Sequence, residues 1–198
     1  HSVMGESHEK INLVCQDSSA FKIGDNYAVA VVADGHGSKK HFRSHLGSKF
    51  AVEAAIEAID RFYEDREALE ANLPENHKLI IKNIEKQIIS NWNVRIEKHL
   101  AENPVTDEEK SKFTEEEFEA NLPESYYGST LVVAVAGDNY TFGVQIGDDR
   151  VNARLRRLRQ RTHRLGQRTA LHDEAVIACH RFARQCRSTR SGLCDFDN

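Results

Sequence analysis

Several things that would place a chain in a class at once are scarce here. The longest apolar runs, Tyr27 to Ala33 and Leu131 to Ala136, fall far short of the ~18 residues of a membrane helix, so no bilayer-spanning segment and no membrane partner are expected. Four cysteines stand at 15, 179, 186 and 194 with no CxxC spacing. That excludes the compact paired-cysteine zinc sites, even with His180 beside Cys179, and it favours free thiols over a disulfide scaffold. The opening residues His1-Ser2-Val3-Met4-Gly5 have neither the basic start nor the apolar stretch of a signal peptide. A cytoplasmic location is therefore expected, and the lack of an initiator at position 1 suggests residues upstream. Lysine is absent after position 112 and proline after position 123.

What is present suits a globular protein. With 198 residues, 39% hydrophobic and 29% charged, the chain has enough apolar material for one core and too little charge excess for disorder. The net charge of −4 conceals an uneven distribution. Residues 1–150 carry 16 basic against 27 acidic residues, a balance of −11, whereas 151–198 carry 11 arginines against 4 acids, a balance of +7. Two units are read from this shift: 1–150, and an Arg-rich segment 151–198. The second is either a basic interaction tail or a stretch translated in a shifted frame. Its run Arg154-Leu155-Arg156-Arg157-Leu158-Arg159-Gln160-Arg161 has the charge to meet phosphate backbones but no interleaved aromatic residue. Nucleic acid is not expected as a partner.

Hydrophobic period places the elements. Ile11 to Cys15 and Asn26 to Ala33 are short, β-rich and bounded by Gly, Asp and Ser, so both read as strands, the second buried on both faces. Phe42, Leu46, Phe50, Ala54, Ala55, Ile59 and Phe62 recur at helical spacing; so do Leu79, Ile81, Ile84, Ile88, Trp92, Ile96 and Leu100. Residues 103–126 form a polar connection with one short helix capped by Thr114, its Glu115-Glu116-Glu117 run a solvated face. Leu131 to Ala136 and Tyr140 to Ile146 are strands joined by the turn Gly137-Asp138-Asn139. Strand pairs on either side of a helical hairpin predict an α+β layered fold.

The richest tetrapeptide is Asp34-Gly35-His36-Gly37, at the end of the buried strand. A carboxylate leaving a strand into a glycine turn suits a hard cation, and the glycine lets its own carbonyl approach the same ion. Beside it stands His36, and histidine is the residue type most often used to protonate a leaving group near neutrality. The same four residues also fit an ordinary strand-end turn in which Asp34 accepts backbone N–H bonds and His36 is incidental. Both readings stand on these residues alone.

Further motifs follow in a specific order: Gly5-Glu6-Ser7-His8, then Cys15-Gln16-Asp17-Ser18 at the end of the first strand, Gly128-Ser129-Thr130 opening a later one, and Gly147-Asp148-Asp149-Arg150. This ordered set, over roughly residues 2–150, resembles the metal-dependent protein phosphatases of type 2C, the PPM family, in a bacterial-like branch. The resemblance implies a four-layer αββα sandwich, incomplete here after the Gly147-Asp148 strand, with Mn or Mg ions at one edge between the sheets. It implies hydrolysis of phosphoserine and phosphothreonine proteins by a di-metal-activated water. Carried over by position, Asp34 bridges the metals and Gly35 contributes its carbonyl. His36 is the general acid, Asp17 orients the attacking water, Asp148 serves a further metal, and His8 assists at the phosphate.

The sequence departs from that pattern in places. Gln16 stands where many members have an acidic metal ligand, and Asn12 where they have a phosphate-gripping arginine. Residues 151–198 show no strands of the family kind and none of its two late aspartates, Asp197-Asn198 being a coincidental pair. An impaired phosphatase is therefore expected, with a non-catalytic phosphatase-like binding or regulatory module as the alternative.

Overall fold

The structure, a computed structural model, describes residues 14–147 and the backbone of a strand at 152–157. Five strands form one antiparallel sheet in sequence order: β1 (Asp17–Ile23), β2 (Tyr27–Gly35), β3 (Ser129–Gly137), β4 (Tyr140–Ile146) and β5 (Asn152–Arg157). Between β2 and β3 the chain leaves the sheet for a helical excursion. It comprises a 3-10 turn (Lys39–His41), α1 (Ser44–Tyr63), α2 (Arg66–Glu102), α3 (Asp107–Lys110), α4 (Glu115–Glu119) and a second 3-10 turn (Pro123–Tyr127). The α+β expectation holds.

Side-chain alternation along β2 and β3 makes two different faces. Tyr27, Val29, Val31 and Ala33 join Leu131, Val133 and Val135 in the main core beneath the helices. The residues between them, Ala28, Ala30 and Val32 with Ala134 and Ala136, are mostly alanine and lie on the opposite face. Register pairs like with like, Val29 with Val135 and Val31 with Val133 on one face, Ala28 with Ala136 and Ala30 with Ala134 on the other. As read from the sequence, β2 is buried on both faces almost throughout.

The first strand is not where its apolar run placed it. Val14 and Cys15 are outside any strand, Ile11 lies outside the described residues, and β1 is the polar segment Asp17–Ile23. Asp17 thus opens the strand instead of following it. β1 is the edge of the sheet among the described residues, and Ser18 faces α1 with its hydroxyl 3.0 Å from that of Ser48. The basic stretch after Arg150, in which no strand was read, contains β5, paired antiparallel with β4 in the register Gly143 to Arg154.

Helix α1 lies across β1, β2 and β3. Its most buried stripe is built of small residues, Ser44, Gly47, Ser48, Ala51, Ala55 and Ala58, which lets the helix axis come close to its neighbours. The aromatic end of the predicted face, Phe42, Leu46 and Phe50, packs into a second cluster with Tyr126, Tyr127 and Ile96. Helix α2, 37 residues long, is kinked at Asn76, two residues after Pro74, whose ring and missing N–H disrupt the ladder. Ile81, Ile84 and Ile88 face the core, but Leu79, assigned to the same face, is 61% exposed. At 100° per residue it stands about 200° from Ile81. The connection after α2 holds two short helices where one was expected, each opened by a reciprocal capping box, Thr106 with Glu109 and Thr114 with Glu117. The Glu115-Glu116-Glu117 run is exposed, as expected.

Arg43, just before α1, ties this excursion together. Its guanidinium forms a fork with Glu109 at 2.7 and 2.8 Å and donates to the carbonyls of Asn103 and Pro104 and to the Tyr127 hydroxyl. All five donors of the planar group lie among partners from three segments. Because this charge is 5% exposed, removing it strands Glu109; Arg43→Ala should lower unfolding free energy by about 3 kcal/mol or more, read as a reduced urea midpoint. Arg43 also holds the Glu109 carboxyl down to about 2 from its ordinary 4.5, aided by Thr106 and opposed by burial. A depressed carboxyl stabilises the fold fully above its unfolded value and loses that contribution as pH falls from 4.5 toward 2. Acid unfolding of Glu109→Gln, followed by circular dichroism, should lack that part of the pH slope. An unchanged slope would refute the linkage.

Candidate active site at the ends of three strands

Register brings the sequence motifs to one end of the sheet. Asp17 of β1 is directly opposite Asp34 of β2, Asp34 is opposite Thr130 of β3, and Gly35 is opposite Ser129. By strand alternation Asp17, Asp34 and Thr130 lie in a row on the face away from the helices. Gly147, with φ of 119°, ends β4 against the Thr130 side chain. A non-glycine residue is strained in that region. Asp148 and His8, both assigned functional roles, lie outside the described residues, as does Asn12.

Two exposed carboxylates facing each other across neighbouring strands repel, since directly opposed side chains are about 5 Å apart at Cβ. Such a pair is a natural seat for a hard cation, which prefers oxygen donors. The donor set, Asp17, Asp34 and the Gly35 carbonyl, is all oxygen and fits Mg or Mn better than a thiolate-seeking metal. Among the described residues no group of three or more His, Cys, Asp and Glu side chains is assembled to hold an ion. The oxygen donors that the described residues bring to this strand end are therefore Asp17, Asp34 and the Gly35 carbonyl.

Backbone hydrogen bonds lock the turn that carries the motif. Gly35 N–H donates to the Gln16 carbonyl at 3.1 Å, and His36 N–H to the Gly128 carbonyl at 2.9 Å. The Ser129 hydroxyl lies 3.0 Å from the Asp34 carbonyl and 2.9 Å from that of Thr130, and Thr130 Oγ1 reaches the Asp34 carbonyl at 3.4 Å. Gly35 is glycine for reasons of space. A Cβ there would stand 2.8 Å from the backbone oxygens of both Gln16 and Ser44, so the residue is wedged between the segment leading into β1 and the first turn of α1. The Gln16 side-chain oxygen faces the same turn, 3.8 Å from where a Gly37 Cβ would lie.

His36 is partly exposed, and its ring meets that of His41 edge to face with centroids 4.7 Å apart. Burial lowers the His41 pKa, the charges of His36 and Lys40 act in the same direction, and a bond to the Ser125 carbonyl opposes them. Sequence reasoning singled out Asp17, Asp34, Gly35 and His36, and the structure brings all four to one place. It missed His41, whose sole sequence signal is its position in the turn before α1. The membrane expectation stands only in this form: among the described residues no helix is long and apolar enough to cross a bilayer.

A family model described as protein phosphatase 2C matches residues 4–189, running past Arg150 into the Arg-rich segment. No curated protein matches the chain. The geometry of the turn makes its own prediction: Gly35→Ala should cost about 1–3 kcal/mol of stability through overpacking against fixed backbone, while Gly37→Ala, with ordinary clearance, should fold with little penalty. Thermal unfolding of the two variants checks it, and equal melting temperatures would overturn it.

Proposed function

Because the chain belongs to the protein phosphatase 2C family, we propose that it is a metal-dependent protein phosphatase acting on phosphoserine and phosphothreonine esters. The observation that carries the reading is the register that sets Asp17 opposite Asp34, with His36 two residues further along the same strand exit. Mn or Mg ions bound at such a site would neutralise the phosphoryl oxygens and activate water as the nucleophile. Asp34 would be the principal ligand, and the Gly35 carbonyl would add a neutral oxygen from a turn that its own hydrogen bond keeps in place. Asp17, across the strand pair, orients the attacking water and accepts hydrogen bonds from it. His36 delivers a proton to the departing serine or threonine oxygen. Asp148 and His8 are proposed as a ligand of a further metal and as a phosphate contact.

The described donor set is poor in charge, and Gln16 adds only a neutral oxygen. Weak metal affinity and slow turnover follow, with millimolar metal favouring activity. The sparse carboxylate set also favours a second reading, a non-catalytic module that binds phosphoproteins without hydrolysing them. A cytoplasmic setting is part of the proposal.

Release of phosphate from a phosphothreonine peptide tests both. Turnover should require Mn or Mg and disappear in Asp34→Asn. His36→Gln should slow it by about 10²–10⁴-fold, the usual contribution of a positioned acid. Calorimetry should give Mn affinities weaker than about micromolar, as expected for few charged ligands, and lost in Asp34→Ala. Peptide binding without turnover at any metal concentration would select the binding module; metal-independent turnover would sink both readings.

A further inference from the structure

His41 belongs to none of the motifs that the proposed function uses, yet it is the aromatic neighbour of His36. The two imidazole planes are inclined at 66°, with centroids 4.7 Å apart. His41 closes the 3-10 turn Lys39–His41, and its Nδ1 bonds to the carbonyl oxygen of Ser125. A carbonyl only accepts, so Nδ1 carries the proton and the tautomer is set by the fold. Burial disfavours a charge on this ring. Pinned in this way, the ring meets His36 as a wall of fixed orientation.

Gly128 is the reason the two rings can meet. A Cβ at that position would stand 2.7 Å from His41 Cε1 and 2.9 Å from His36 Nδ1. The Nδ1 edge of His36 is accordingly turned inward toward the bare Cα of Gly128, and its backbone N–H is anchored on the carbonyl of the same glycine at 2.9 Å. Backbone and ring of His36 are both referred to one short segment, Ser125 to Gly128. That segment also receives the Arg43 backbone N–H, at the Tyr126 carbonyl, 2.9 Å away.

The geometry points to His41 as a positioning residue for His36: pinned on Ser125, its ring closes one side of the His36 imidazole and, across Gly128, keeps Nδ1 inward and leaves Nε2 to face substrate. The mechanistic value of this arrangement rests on His36 being the proton donor of the proposed phosphatase; the orientation itself does not.

Two measurements on the full chain separate these points. In the metal-free protein with labelled histidines, NMR should show nuclear Overhauser contacts from the His36 ring to the His41 ring and to the Gly128 α-protons. The His36–Gly128 contacts should vanish in His41→Ala, with the His36 ring signals moving toward unstructured values. His41→Asn, whose amide can still donate to Ser125, should keep the signals of 125–128 in place and yet loosen His36, distinguishing ring contact from loop collapse. With Mn and a phosphothreonine peptide, both variants should lower kcat by about tenfold or more through misorientation of the acid, with KM changed by less than about twofold. Absence of the His36 contacts in the wild type, or their survival in His41→Ala, overturns the proposal, as does an unchanged kcat. A wild type with no metal-dependent turnover would defeat the phosphatase reading instead, while the NMR result would still decide whether His41 positions His36.

Discussion

The pairing of β2 with β3 is the constraint on which the rest of the structure depends. Nine residue pairs run from Tyr27 with Gly137 to Gly35 with Ser129. Side-chain period in a strand is two, so a slip of β2 by one residue would put Val29 and Val31 on the alanine face and turn Asp34 toward the helices. Core and candidate site are thus specified by one register. The valines decide it, because only one alignment lets them and the helices share a core, and Asp34 inherits its position from that choice.

The helical excursion converts a register into a site. Residues 36–128 leave the sheet at His36 and return at Gly128, and the two ends are joined directly by a backbone hydrogen bond. Arg43 performs the larger closure, gathering the end of α2, the start of α3 and Tyr127 around a single guanidinium. Trp92 adds a bond from its indole N–H to the Gly47 carbonyl at 3.0 Å, and Arg95 reaches Glu57 at 2.6 Å, tying α2 to α1. The small-residue stripe of α1 lets the second 3-10 turn approach so closely that Gly47 has no room for a side chain beside the Tyr127 carbonyl. Charge, close packing and backbone bonding act here on one short segment of chain, and His36 is attached to it.

Much of this was legible in the sequence where apolar pattern was strong. Strands β2, β3 and β4 are apolar, β-branched or aromatic for most of their length, and the core face of α2 is a run of isoleucines at helical spacing. Elements that rely on context were not legible. Strand β1, at the edge of the described sheet, is polar and held by pairing and by a hydroxyl contact to α1, and β5 is arginine-rich, so composition argues against both. The Arg43 partners come from positions 103, 104, 109 and 127 and share no spacing rule with it. For the site, residue type was enough to single out Asp17, Asp34, Gly35 and His36. Their mutual placement was not available, because Asp17 opposite Asp34 is a fact of hairpin register and His41 beside His36 a fact of a turn. The reason for glycine at 35 also differs from the one its neighbours suggested: the backbone oxygens of Gln16 and Ser44 fill the space.

The two halves of the candidate site are also separated in time. Asp17 and Asp34 belong to one hairpin that can form as soon as residues 17–35 have emerged, whereas Ser129, which approaches the Asp34 carbonyl, lies 95 positions later. Contacts of such separation are slow to form, since loop closure must be paid for before they are gained. While the chain is being synthesised, the inner edge of β2 waits for the whole excursion to emerge and fold, with the run Tyr27 to Ala33 unpaired on that side. An unpaired apolar strand edge is a ready template for misassociation. The same valines that later decide the register are therefore, for that interval, the part of the nascent chain most in need of cover.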